Sequence, residues 1–134
     1  MSQDSIQQLR AWMTERELDA FMVTQPQNRS YLSGWLNDDV EGAGMLFVGQ
    51  QQQVLLTNTL YKEIAEQEAI GWKVATPTSR EYAPAIATLA QEHGWKKIGF
   101  ESMAITYYEY EQIRNAGEGI FTLQAIGASF VDKL

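Results

Sequence analysis

The chain of 134 residues has no cysteine, a single histidine and three prolines, and its 10 Lys plus Arg are outnumbered by 17 Asp plus Glu. Each shortage closes off a class of chemistry. Without cysteine there are no disulfides, thiolate metal sites or cysteine nucleophiles. One imidazole, His93, cannot build a His-rich zinc centre. The net charge of −7 supplies no basic surface to displace counterions, so neither a nucleic acid nor an anionic membrane is an expected partner. No window approaches the roughly 18 consecutive apolar residues of a membrane span. Residues 1–10 are polar and lack the apolar core of a signal peptide, which makes a cytoplasmic location the expectation. In that setting the Asn28-Arg29-Ser30 sequon is incidental.

What is present is globular in character. Hydrophobic residues make up 45% and charged residues 20%, enough apolar surface to escape disorder. At roughly 100–200 residues per domain the length corresponds to one domain with its own core.

Along the chain, apolar spacing and end signals alternate. Ile6, Leu9, Trp12, Met13 and Arg16 share one helical face, with Asp4 as N-cap and Gln7 three residues on. Residues 20–23 form an apolar run short enough for a buried strand. Thr24-Gln25-Pro26 opens a brief helix that Gly34 stops. Residues 44–48 and 54–57 read as a hairpin around Gly49 and a solvated glutamine turn. Asn58-Thr59 caps a helix to about residue 69, and residues 72–76 read as a strand. Pro84 begins a helix that turns Ile86, Leu89 and Ala90 inward and stops at Gly94. Residues 97–100 form the next strand. Thr106 and Glu109 make a capping box for a helix to about residue 115, and residues 120–125 form the last strand. About six strands alternating with four or five helices predict a three-layer α/β/α domain with a mixed, roughly six-stranded sheet.

Chemistry is sparse. His93 lies on an inward helix face beside Gly94, where an imidazole is structural. Asn37-Asp38-Asp39-Val40-Glu41-Gly42 imitates the first half of a calcium loop, but the twelfth position is Val48 instead of a bidentate Glu. Gly42-Ala43-Gly44 lacks the third glycine of a dinucleotide fingerprint, and no serine has a nucleophile-elbow context. No catalytic residue and no metal ligand set emerges. Trp35, just past Gly34 and beside the acidic loop, fits a core anchor and an interface or substrate-wall residue equally well.

Several segments together resemble the N-terminal, non-catalytic domain of the creatinase / Xaa-Pro aminopeptidase / prolidase family. Residues 9–24 resemble its opening helix-strand unit. Pro26-Gln27-Asn28-Arg29-Ser30-Tyr31-Leu32-Ser33-Gly34-Trp35 resembles its Pro-Glu-Asn-x-x-Tyr-Leu-(Ser/Thr)-Gly-aromatic stretch. Val54-Leu55-Leu56-Thr57-Asn58-Thr59-Leu60-Tyr61 resembles the turn before its third helix, and Lys97-Ile98-Gly99-Phe100-Glu101 its basic-Ile-Gly-x-Glu strand. There are departures. The turn that is often Asp-Gly-Arg-Tyr keeps only Tyr61. The substrate-binding Arg of the creatinase branch is missing from residues 37–41, which disfavours a creatine-like substrate. Glu17 stands where a left-handed Gly is usual.

The resemblance implies that residues 1–134 are the N-terminal domain of a peptidase whose catalytic domain lies outside this chain. That "pita-bread" domain would use two Asp, one His and two Glu to hold two divalent metals (manganese, cobalt or zinc) that activate a water. The implied partners are this catalytic domain, a second subunit in a homodimer and a peptide substrate. The implied wall or interface residues are Trp35, Tyr31, Tyr61 and the loop residues Asp38, Asp39 and Glu41. The alternative expectation is a stand-alone binding or assembly module without a catalytic partner.

Overall fold

Ala20-Phe21-Met22-Val23 has no polar side chain to turn toward water, so a strand built from it must be covered on both faces. The computed structural model describes residues 2–35, 44–78, 81–127 and Val131. Its elements begin α1 (Ser2–Glu15), β1 (Ala20–Val23), α2 (Pro26–Ser33), β2 (Gly44–Gly49) and β3 (Gln53–Thr57). They continue α3 (Lys62–Glu68), β4 (Lys73–Ala75), α4 (Ala83–His93), β5 (Lys97–Glu101), α5 (Tyr107–Ala116) and β6 (Thr122–Ile126). The strands form one six-stranded sheet in the order β4-β3-β2-β1-β5-β6. β2 is antiparallel to both β1 and β3, while the β1/β5, β5/β6 and β3/β4 pairs are parallel. The mixed sheet expected from the sequence is the one observed.

Strand periodicity splits the core into two layers. Phe21 and Val23 of β1, Leu46 and Val48 of β2 and Leu55 of β3 meet Ile6, Leu9 and Met13 of α1, Leu32 of α2 and Ala65 of α3. The intervening Ala20, Met22, Phe47, Val54 and Leu56 meet Ile86 and Ala90 of α4 and Ile113 of α5. Val131 closes onto the first layer. The three-layer architecture is therefore present. Gly99 is needed where β5 lies beside β1, opposite Phe21, since a Cβ there would stand 2.9 Å from Leu18 Cδ1 and from Phe21 Cδ1.

Local signals located most ends. The αL cap at Gly34 has φ 82° and that at Gly94 has φ 71°. Thr106 and Glu109 form the full reciprocal capping box. Glu17 adopts the left-handed conformation expected of a glycine, φ 58°, held by Leu18 N–H donating to Met13 O at 2.9 Å.

Four boundaries differ. α1 starts at Ser2, so Asp4 lies in its first turn and is not its N-cap. Arg16 falls beyond α1 and lays its guanidinium over the Trp12 ring at 4.3 Å instead of facing the core. Asn58 caps a turn, its Oδ1 accepting from Tyr61 N–H at 3.2 Å, and the helix waits until Lys62. The last strand begins at Thr122, because a turn closed by Ile120 N–H to Gly117 O at 2.8 Å occupies the preceding residues.

Candidate functional site

Because β1 and β5 are parallel, with Met22 opposite Phe100, their carboxyl ends lie side by side and Glu101 reaches the residues that follow β1. Glu101 is 3% exposed, and a buried carboxyl group needs a partner on each oxygen. Its Oε1 accepts from the backbone N–H of Thr24 at 2.7 Å and of Gln25 at 2.8 Å. Its Oε2 accepts from Asn28 Nδ2 at 2.7 Å. Gln25 caps α2 by accepting from Asn28 N–H at 2.8 Å.

Arg29, also buried, extends the network. Its Nη1 donates to Gly44 O at 2.7 Å and to Thr24 O at 3.3 Å. Thr24 Oγ1 donates to Ala104 O at 2.9 Å. The end of β1, the first turn of α2, the start of β2 and the loop after β5 are thereby joined. Beside them opens a groove of about 400 Å³ lined by Thr24, Arg29, Gly44, Tyr82, Met103 and Glu109. A neighbouring cavity of about 180 Å³ shares Met45, Tyr82 and Glu109 with it.

This arrangement orients backbone; it does not assemble a reacting pair. Both Glu101 oxygens accept from donors of the fold, so its carboxyl group serves to hold backbone and side chain in place. Among the described residues no group of three or more His, Asp or Glu could hold a metal ion. The two divalent metals implied by the resemblance thus find no fitting ligand set among these residues. His93 is half-buried with its ring 5.0 Å from that of Trp95, a packing position.

The residues singled out from the sequence divide. Trp35 is 2% exposed, its N–H donating to Ser33 Oγ at 3.1 Å. Its ring lies 5.8 Å from that of Tyr61, tilted by 57°. Of the two readings of Trp35, burial in this chain matches the core anchor. Tyr31 is 44% exposed, with its hydroxyl 2.8 Å from Ser5 Oγ on α1. Trp35 and Tyr61 are therefore brought together, whereas Tyr31 sits against α1. Asp38, Asp39 and Glu41 lie outside the described residues.

Asn28, Arg29 and Glu101 stand within the segments that carry the resemblance, but the sequence marks no role for them. One signal was available: a charged residue closing the apolar run Ile98-Gly99-Phe100 is a candidate for burial with partners. Elsewhere, burial lowers the Arg10 pKa from its ordinary value by disfavouring the charged form. Its Nε still donates to Gly49 O at 2.8 Å. Among the described residues no helix is long and apolar enough to cross a membrane.

Comparison with known proteins points one way. Residues 5–132 match the Creatinase/Prolidase N-terminal domain family. The fold is similar to that of an Xaa-Pro dipeptidase from Bacillus anthracis, with a TM-score of 0.80 at 21% identity. That match covers 98% of this chain but only 35% of the dipeptidase chain. An Xaa-Pro aminopeptidase structure from Streptococcus thermophilus gives a TM-score of 0.81 at 21% identity, covering 98% of this chain and 96% of that one. The N-terminal domain of the cytoplasmic peptidase PepQ from Mycobacterium tuberculosis gives 0.76 at 28% identity, over 96% and 95% of the two chains. No curated protein matches the sequence.

Proposed function

We propose, from the premise that the chain belongs to the Creatinase/Prolidase N-terminal domain family, that it serves a metal-dependent Xaa-Pro peptidase as its non-catalytic domain. In this reading residues 1–134 are the N-terminal domain, and an aminopeptidase or dipeptidase activity resides in a catalytic domain outside them. That domain would hold the two divalent metals (manganese, cobalt or zinc) and act on a peptide substrate. The present domain contributes to subunit dimerisation and walls the active site. The likeness to a cytoplasmic peptidase N-terminal domain supports a cytoplasmic location.

One observation carries the walling role. The Glu101–Asn28 and Arg29–Gly44 bonds fix both the entry to α2 and the entry to β2. Trp35, packed with Leu32 and Tyr61, anchors the far end of α2. Residues 36–43, which include Asp38, Asp39 and Glu41, join these two anchored points in the sequence, and anchored flanks support a role in shaping a neighbouring site. Trp35 and Tyr61 act through that anchoring, and half-exposed Tyr31 and the acidic loop are the surface offered to substrate or partner.

The test is kinetic. In the full-length enzyme, Trp35→Ala and Tyr31→Ala are expected to raise KM for an Xaa-Pro peptide or weaken subunit association. Unchanged KM, kcat and association in both variants would remove the assignment.

A further inference from the structure

An open sheet has two free edges, and natural proteins guard such edges with shortness, lysine or proline. β4 is guarded: it has three residues, begins at exposed Lys73 and is soon followed by Pro77. β6 has none of these devices. Its five residues, Thr122-Leu123-Gln124-Ala125-Ile126, include no charge, proline or glycine, and among the described strands it pairs only with β5.

The direction of its backbone groups can be read from two bonds. Thr122 N–H donates to Lys96 O at 2.9 Å, and Ile126 O accepts from Ser102 N–H at 3.2 Å. Alternate residues of a strand point their N–H and C=O to opposite sides. Leu123 and Ala125 therefore present theirs at the open edge.

The side chains of the same two residues face the α5 layer, where two depressions share Tyr110 and Leu123 in their linings. One, of about 480 Å³, is bordered by Arg114, Glu118, Thr122 and Leu123. The other, of about 520 Å³, is bordered by Phe100, Tyr107, Leu123 and Ala125 and has no charged residue in its lining. Tyr107 there is 72% exposed. In a chain of net charge −7, an antiparallel meeting of two copies sets the depression holding Arg114 and Glu118 toward the uncharged one of the other copy, so that acid does not oppose acid.

We propose that β6 pairs antiparallel with β6 of a second copy of this chain, about a twofold axis at Gln124, so that the sheet continues across the interface. In this register Leu123 lies opposite Ala125 of the second copy on both sides of the axis. The outward N–H and C=O groups of those residues then exchange hydrogen bonds. Each Leu123 side chain enters the depression that the other copy's small Ala125 leaves open. Thr122 lies opposite Ile126, and Gln124 opposite itself. The pairing is isologous, so it closes as a dimer. It deepens the dimerisation half of the proposed function by naming the surface, and rests on that half alone.

Sedimentation equilibrium of the 134-residue chain tests it. A concentration-dependent dimer is expected, and Ala125→Lys should raise its dissociation constant by about tenfold or more by placing charge on the edge. Gln124→Lys and Gln124→Glu, each setting like charges opposite across the axis, should each weaken the dimer about two- to fivefold. An equimolar mixture of the two should restore association, because Lys then meets Glu. Gln124 lies on the other face of β6, so this pair of variants decides the matter even if Ala125→Lys disturbs folding. A chain that stays monomeric at all concentrations overturns the proposal. So does a dimer indifferent to all three substitutions, although that dimer would leave the dimerisation half of the function intact, and the kinetic test of active-site walling is independent of either outcome.

Discussion

At the carboxyl ends of β1 and β5 an acid gathers N–H donors, whereas at their amino ends a base gathers carbonyl groups. Glu101 takes bonds from Thr24, Gln25 and Asn28. Arg10, on α1, gives bonds to Gly49 O at 2.8 Å and Gln52 O at 3.2 Å in the β2–β3 turn. Beside it Asp19 Oδ2 accepts from Lys96 and Lys97 N–H at 2.8 and 3.0 Å. The two ends differ in access to water. Glu101 is 3% exposed, while Arg10 and Asp19 are only half-buried. Solvent can replace a lost partner at the amino end, but not for the buried Glu101–Asn28 bond at the carboxyl end, so a bond lost there carries more weight. The carboxyl end is the one at which the first turn of α2 and the start of β2 are held.

The sharpest way to break this comparison is Glu101→Ala. It removes the shared acceptor of three donors, one of them buried, and should destabilise the domain by about 2–4 kcal/mol, read from the urea midpoint. Arg10→Met keeps the aliphatic packing and frees two partly exposed carbonyls, so a loss of about 1–2 kcal/mol is expected. If the two variants proved equally damaging, burial would not be what separates the ends. The smallest effect belongs to the α1–β1 junction. Glu17→Gly relieves a left-handed residue at φ 58° and should stabilise by about 0.5–1 kcal/mol, seen as a raised Tm. A destabilised Glu17→Gly would mean that the Glu17 side chain, not its backbone, secures the amino end.

Much of the fold was legible because its signals are local. The capping box needs only Thr106 and Glu109 three residues apart. The αL stops need only Gly34 and Gly94, and the buried strands announce themselves as apolar runs. Where the local code was ambiguous, the boundaries moved. Asn58 satisfies a turn as readily as a helix N-terminus, because an Asx side chain can bond N–H groups in either setting. Gly117 and Gly119 let the chain turn once more before β6.

The candidate site was less legible. Trp35 could be named, but its choice between core and surface depended on whether Tyr61 and Leu32 would come to cover it. Asn28 and Glu101 are separated by 73 positions, and nothing in either neighbourhood specifies the other as a partner.

The amino-acid sequence by itself determined the elements, their inward faces and the mixed sheet, since propensity, capping and periodicity act over a few residues. It also determined which chemistry the chain lacks, because no fold can supply a thiol or a second imidazole. Only the tertiary structure decided which groups of opposite hydrogen-bonding character share an end of the sheet, and which strand has a single neighbour among the described strands. Those outcomes depend on strand order. Strand order is settled by covering both faces of β1 at once, a condition on the whole chain that no local segment can state.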